Sequence, residues 1–246
     1  MRKITPFLLT LTFFASAALA QTYPKVTYYG GLAHALQHPN SGTLEVSEGG
    51  ESFSFEPCTA EGADVLGPNL QHSLCSRRDF HGFDTSVKYN LSRTLGIRTD
   101  VSVLWGKTRA VDTFGDGAEQ HIDTNIIRDR TVLAVAGLEW GDNAASRWRP
   151  FAHVLAGIAR QRSDDSQTST GPFEFSLHDN VTSFAMKIGA GVDIPVTSHV
   201  DVRAIEINYT PIFAGGRHVP GNADFDQSVK GRTAQNVTFS FGLVVH

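Results

Sequence analysis

The stretch Phe184–Ile194, with the sequence FAMKIGAGVDI, is apolar at every second position. Its apolar residues alternate with residues that are small or charged, among them Lys187 and Asp193. Because successive side chains of a β-strand point to opposite faces, this pattern predicts a strand with one apolar and one polar face. The apolar face meets either the core of a soluble protein or the lipid around a membrane barrel, so the rest of the chain must distinguish the two settings.

Seven further segments alternate in the same way and predict strands of roughly ten residues. They are residues 25–37, 82–90, 96–106, 131–140, 151–160, 200–210 and 235–245. The connections between the eight strands are alternately long and short, and the long ones are residues 38–78, 107–128, 161–180 and 211–234. Loops longer than about 15 residues are uncommon in compact soluble domains. Their alternation with short turns places all long loops at one end of the sheet, as in outer-membrane barrels.

The polar faces of these strands carry charges of both signs. The candidates for a charged cluster are Asp84, Lys88, Arg98, Asp100, Glu139, His153, Lys187, Asp193 and Glu206. A soluble barrel would bury apolar residues and expose these charges, whereas a membrane barrel does the reverse. Aromatic residues lie near the ends of the apolar faces, as in interfacial girdles: Tyr89, Trp105, Trp140, Trp148 and Tyr209. The sequence therefore predicts an all-β fold, an eight-stranded antiparallel up-and-down transmembrane β-barrel.

The N-terminal segment predicts export. Arg2 and Lys3 precede an apolar run, and Ala18-Leu19-Ala20 forms an A-x-A cleavage motif. We predict a signal peptide over residues 1–20, cleaved after Ala20, followed by a barrel domain over residues 21–246. No later segment has about 18 consecutive apolar residues, so a membrane role must come from strands.

The remaining composition restricts the partners. A formal net charge of −4 without a basic cluster argues against nucleic acid. Cys58 and Cys75 lie in a stretch rich in Gly, Pro and Ser, and an exported chain meets an oxidising compartment, so we predict one disulfide between them. A zinc site is disfavoured because the spacing of these thiols to His72 and His81 does not match known zinc motifs.

Four segments carry a family resemblance. Gly82–Gly106 (GFDTSVKYNLSRTLGIRTDVSVLWG) and Lys187–Tyr209 resemble strand–turn–strand units of OmpA-like eight-stranded outer-membrane barrels, while Arg149–Gly157 and Gln235–Val245 resemble the fifth and the closing strand. The resemblance implies a bacterial outer-membrane location with lipid around the barrel. One departure is the C-terminal residue, since members commonly end on an aromatic residue and this chain ends on His246.

The strand over residues 200–210 breaks its own alternation. Arg203 falls on the face of Ile205 and Ile207, whereas Glu206 falls on the face of Val202. A β-bulge would re-aim one half of the strand, and we expect one between Arg203 and Glu206.

We interpret the charged cluster as a plug. Eight strands enclose a bore just wide enough for side chains, and charges shielded from water must be paired. The hypothesis pairs Lys88, Arg98, Lys187 and Glu206 with acidic partners, which are Asp84, Asp100, Glu139 or Asp193.

Two groups of residues could suggest catalysis or metal binding. His153 near Glu139 invites a catalytic role, but barrel deacylases need a serine two residues after the histidine, and Leu155 stands there. Neither G-x-S-x-G nor H-E-x-x-H occurs, so we predict no enzyme, no catalytic residue and no cofactor. Asp112, Asp116 and Glu119 do not fit the calcium spacing of an EF-hand, which favours a solvated loop over a metal site.

The predicted role is structural or interactive. A monomeric barrel would brace the membrane and present four external loops, of which residues 38–78 are the best candidate for contact with an extracellular or cell-surface partner. Two alternatives remain open: a narrow channel or lipid-handling barrel, and a soluble exported barrel that binds a small apolar ligand.

Overall fold

A computed structural model describes residues 23–38, 43–48, 51–60, 64, 66–114, 120–143, 147–170, 175–219, 225–229 and 232–246. The predicted signal peptide lies outside the described residues, so its cleavage stays a prediction. No helix in these ranges is long and apolar enough to cross a membrane.

The chain folds mainly into β-strands. In chain order the elements are β1 (Val26–His38), β2 (Leu44–Glu48), β3 (Glu51–Phe55), α1 (Pro68–Cys75), β4 (Arg78–Asn90), β5 (Leu95–Phe114), β6 (His121–Gly141), β7 (Arg149–Ser169), β8 (Phe175–Pro195), β9 (Val200–Ala214), β10 (Arg217–Val219), β11 (Phe225–Val229) and β12 (Arg232–Val245). Eight strands close into a barrel in the order β1-β12-β9-β8-β7-β6-β5-β4. Every neighbouring pair is antiparallel, which confirms the predicted eight-stranded architecture.

Several barrel strands are longer than predicted. β6, β7 and β8 each have 21 residues, and β5 has 20. The loops predicted over residues 107–128 and 161–180 are therefore wrong for most of their length. The reason is that a strand beyond the membrane has water on its outer face, so polar residues replace the apolar alternation that marks the membrane part.

A second sheet forms between two of the predicted loops. Its four strands follow the order β10-β11-β2-β3. β2 and β3 come from the first long connection, and β11 from the last one pairs with β2 from Leu44↔Val229 to Glu48↔Phe225. The sequence did not predict this cap sheet, because its central pairing joins segments at opposite ends of the chain.

The barrel carries its apolar side chains outside. On β8, Phe184 is 52% exposed and Ile188 is 44% exposed, whereas Lys187 between them is 1% exposed. The same inversion holds for the apolar faces of the other barrel strands, including Phe83, Ile97, Trp140 and Ile158. An apolar exterior around a charged interior is typical of a barrel whose outside contacts lipid, and it argues against a soluble barrel, whose outside would be polar.

The predicted bulge lies in β9. Ala204 and Ile205 both face outward, and the register to β8 shifts between the pairs Val192↔Ile205 and Asp193↔Arg203. Arg203 and Glu206 consequently both enter the lumen, where they are buried.

Candidate functional site

The lumen holds all nine charged or titratable residues that the sequence singled out. Each of them is at most 9% exposed, and they come from β4, β5, β6, β7, β8 and β9. They lie in the half of the barrel that is nearer to the short turns. We call these nine residues together with Arg203 the charged layer.

Arg98 lies at the centre of the charged layer. Its guanidinium donates to Asp100 Oδ2 at 2.7 Å, to Glu139 Oε2 at 3.0 Å and to Glu206 Oε1 at 3.0 Å. The planar guanidinium suits this position because it carries five donors in a fixed geometry. The Arg98 guanidinium thus connects strands β5, β6 and β9 across the lumen.

Lys187 forms a second centre. Its ammonium donates to Asp84 Oδ2 at 2.8 Å and to both carboxylate oxygens of Asp100 at 3.1 Å. Ser102 donates to Asp84 at 3.0 Å, so that this carboxylate has two donors. Lys88 pairs separately with Glu139 at 2.7 Å.

Arg203 is the cation that the sequence analysis left out. It donates to both oxygens of Asp193, at 2.8 and 3.0 Å, and to Glu206 at 2.5 Å. Its guanidinium lies 4.2 Å from the ring centres of both Tyr29 and Phe151. The break in alternation at the bulge was the available signal, since only the bulge returns Arg203 to the inner face.

The predicted pairing is wrong for Glu206. Two arginines, Arg98 and Arg203, bind this carboxylate, and Asn208 also donates to it at 3.0 Å. Glu206 is therefore an acceptor for cations from β5 and β9, and not a partner of other carboxylates.

His153 belongs to the same network. Its Nδ1 lies 3.3 Å from Arg98 Nη1, and its Nε2 lies 3.8 Å from Glu206 Oε1. The histidine is 1% exposed, and Leu155 follows it on the inner face. This environment orients the ring by charged neighbours inside a filled lumen.

Three carboxylates of the charged layer come close together. Ligand atoms of Asp84, Asp100 and Glu206 lie within 4.8 Å of one another. Lys187 and Arg98 already neutralise them by direct contacts. The arrangement is that of internal ion pairs.

An apolar layer fills the next part of the lumen towards the long loops. Its members are Ala33, Ala35, Phe80, Leu104, Leu133, Val135, Leu155, Ala159, Ala185, Ile212 and Ala234, all buried. Charged side chains alone were expected in the lumen, so this apolar layer is an addition to the predicted plug. Side chains therefore occupy the bore at two successive levels, and a small cavity lined by Leu104, Leu133 and Lys187 lies where the levels meet.

The mouth at the short-turn end has its own ion pairs. Arg149 donates to Asp201 Oδ2 at 2.6 Å, and His246 Nε2 lies 2.9 Å from the same oxygen. The backbone N–H of His246 also donates to the His199 carbonyl at 3.0 Å, which holds the C-terminal residue to the turn before β9. These ion pairs were not predicted from the sequence.

At the opposite end, Asp112 holds the helix of the first connection. Its carboxylate accepts the backbone N–H groups of Asn69 and Leu70, both at 2.9 Å, at the start of α1. Asp112 is 1% exposed and serves as the helix cap from a neighbouring strand. Asp116 and Glu119, which the sequence places near Asp112, lie outside the described residues.

The predicted disulfide is present. Cys58 is bonded to Cys75, the last residue of α1. The first connection is thus attached to the barrel through Asp112 and crosslinked within itself.

One titrating pair lies on the strand extensions, outside the membrane part. The hydrogen bond from the Arg162 guanidinium holds the pKa of the Asp164 carboxyl below its usual value, against the opposite effect of partial burial. The Arg162 Nε to Asp164 Oδ2 distance is 3.0 Å, and His178 Nδ1 lies 2.6 Å from Oδ1 of the same carboxylate.

No protein-family model matches the chain, and no curated protein matches it. Among solved structures, the outer membrane protease OmpT from Escherichia coli is similar with a TM-score of 0.52 and 11% identity, over 92% of this chain and 99% of that one. OprG from Pseudomonas aeruginosa has a TM-score of 0.45 and 8% identity, over 91% of this chain and 96% of that one. Neisserial surface protein A has a TM-score of 0.38 and 13% identity, over 92% of this chain and 99% of that one. At these identities the likeness concerns the fold alone.

Proposed function

Because this chain is a closed eight-stranded barrel with the fold of outer-membrane barrel proteins, we propose that it is an integral outer-membrane protein with a closed lumen and an interaction surface at its long-loop end. The observation that carries the proposal is that side chains of the charged layer and the apolar layer occupy the bore at two levels. A bore closed at two levels suits a structural or adhesive role, and it disfavours transport.

The closure rests on contacts that cross the lumen. Arg98 reaches Glu206 on the far side, and Lys187 reaches Asp84. Opening an ion path would require these buried pairs to separate, which leaves charges without partners and costs several kcal/mol for each pair. A narrow channel is therefore the less favoured alternative.

The interaction surface is the long-loop end. There, α1 is fixed to β5 by Asp112 and to the preceding loop by the disulfide, and the cap sheet joins the first and last connections. Binding residues are disproportionately found on loops held by a rigid scaffold. The partner in this proposal is an extracellular or cell-surface molecule that contacts the first connection.

Membrane integration is tested by washing membranes from expressing cells with alkaline carbonate. The full chain should stay in the pellet and should migrate as a folded barrel in unheated samples. Release into the wash would overturn the proposal and favour the soluble alternative. N-terminal sequencing of the same material tests export, and it should begin at Gln21.

Closure is tested by single-channel recording in planar bilayers. The reconstituted protein should show no steady conductance. A matched variant, Arg98→Ala with Leu133→Ala and Leu155→Ala, removes bulk from both layers and should raise the frequency of brief openings. Steady conductance of the unchanged protein would overturn the closed lumen and support the channel alternative.

A further inference from the structure

Six basic side chains form a patch on the outside of the barrel. Each of three adjacent strands contributes two of them at consecutive outward positions: Lys107 and Arg109 on β5, Arg128 and Arg130 on β6, and Arg160 and Arg162 on β7. All six are exposed. We call them the basic patch.

The patch lies directly beyond the apolar exterior. On β5 it follows Trp105 by two residues, on β6 it adjoins Val132, and on β7 it follows Ile158 by two residues. Trp105 is 43% exposed and Ile158 is 56% exposed, so the apolar band reaches up to the patch. A rise of about 3.3 Å per residue puts the first cations within roughly 7 Å of the band's edge.

Among the described side chains of the barrel strands, outward-facing lysines and arginines occur only on β5, β6 and β7. On the other five barrel strands, the described lysine and arginine side chains all face the lumen, and they are Arg78, Lys88, Lys187 and Arg203. On the outer face of β5, β6 and β7, the described residues include one acid, Asp164, against the six cations.

Five of the six cations have no carboxylate partner within the described ranges. Lys107, Arg109 and Arg128 make no ion pair there, whereas Arg162 pairs with Asp164 at 3.0 Å. Arg160 donates to Asn180 at 3.0 Å, and Arg130 lies 6.0 Å from the Trp105 ring centre.

Two of the arginines are direct cross-strand neighbours. Arg130 on β6 is paired in register with Arg162 on β7. Like charges directly opposite on antiparallel strands are destabilising unless something neutralises them. Asp164 lies opposite Arg128 and neutralises part of this charge, which leaves a large excess of cations for an external anion.

We propose that the basic patch binds the phosphate groups of anionic lipids in the leaflet at the long-loop end. Arginine and lysine at the edge of an apolar band lie at the depth of lipid headgroups, and arginine binds phosphate through paired hydrogen bonds. The proposal rests on the membrane integration of the proposed function, and it goes beyond that function by assigning a lipid class and a site.

The test uses the full chain reconstituted in detergent micelles with a diphosphorylated glycolipid, lipid A, and counts the retained lipids by native mass spectrometry. The variant Lys107→Gln/Arg109→Gln/Arg128→Gln removes three cations that make no hydrogen bond or ion pair within the described ranges, so internal contacts persist. We expect the apparent affinity of this variant for lipid A to be lower than that of the unchanged protein, on the order of tenfold or more. Added salt should weaken lipid A binding less in the variant than in the unchanged protein, because fewer charges are left to screen.

The matched control is Lys25→Gln/Arg93→Gln/Arg147→Gln, which removes the same charge at the short-turn end. It should retain lipid A like the unchanged protein, and neither variant should change retention of phosphatidylcholine. Equal lipid A retention by the patch variant, or an equal loss in both variants, would overturn the proposal. Insertion into phosphatidylcholine vesicles is scored separately, because its failure would contradict membrane integration and not the patch.

Discussion

Lys187 on β8 and Asp84 on β4 lie on opposite sides of the barrel and meet in its centre. Three strands separate β8 from β4 in either direction around the closed sheet. The Lys187 ammonium nevertheless lies 2.8 Å from Asp84 Oδ2, and both residues are at most 1% exposed. The pair is thus a direct tie between opposite walls.

Replacing the lysine should loosen this tie. We expect Lys187→Met to lower the free energy of unfolding in detergent micelles by about 3–5 kcal/mol, because Asp84 loses its cation while Asp100 keeps Arg98. Urea titration followed by tryptophan fluorescence measures the change. The control Lys107→Met removes an exposed lysine and should change stability by less than about 0.5 kcal/mol.

Removing both partners separates pairing from packing. In the double variant Lys187→Met/Asp84→Leu no carboxylate is left without its cation, so much of the stability should return. If Lys187→Met alone unfolds at the same urea concentration as the unchanged protein, the cross-lumen tie does not contribute.

The cap by Asp112 gives a local prediction. Asp112→Ala should release α1 and speed hydrogen exchange of the Asn69 and Leu70 amides, because both lose their acceptor. The loss of stability should be about 1 kcal/mol and should be confined to the first connection. Asp112→Asn keeps one acceptor oxygen and should show an intermediate rate. Unchanged exchange in Asp112→Ala would contradict the capping role.

The membrane part of the barrel could be predicted because lipid imposes a simple rule. Phe184, Ile188 and Val192 alternate with Lys187 and its neighbours, so one face had to be apolar. The rule fails where water surrounds the strand, which is why the extension of β5 to Phe114 was predicted as a loop.

The sequence predicted which residues belong to the charged cluster, but it could not predict which of them contact each other. Parity along a strand places Asp84 and Lys187 inside, yet the contact between them depends on the order of strands around the barrel. Arg203 was missed because a single inserted residue at the bulge reverses parity. Most of the basic patch lay within predicted loops, where no face could be assigned to Lys107, Arg109 or Arg128.

The disulfide should stabilise the first connection and not the barrel. We expect Cys58→Ser/Cys75→Ser to be cleaved faster by protease within that connection, because closing a loop of this length is worth about 3 kcal/mol locally. The barrel core should survive as a resistant fragment with unchanged urea midpoint. A lowered midpoint would show that the crosslink supports the barrel itself.

The pairing of Asp164 with Arg162 predicts a pH effect at the outer end of β7. Because the folded pKa of Asp164 is lowered, the pair contributes stability above the unfolded carboxyl pKa of about 3.9 and loses it as the pH falls through the lower folded value. Arg162→Gln should raise the Asp164 pKa towards 3.9, as followed by carbon NMR of the carboxyl group. Arg160→Gln, whose side chain contacts Asn180 instead, should leave it unchanged. An unshifted Asp164 pKa in Arg162→Gln would show that His178, and not the arginine, holds the carboxylate in its charged form.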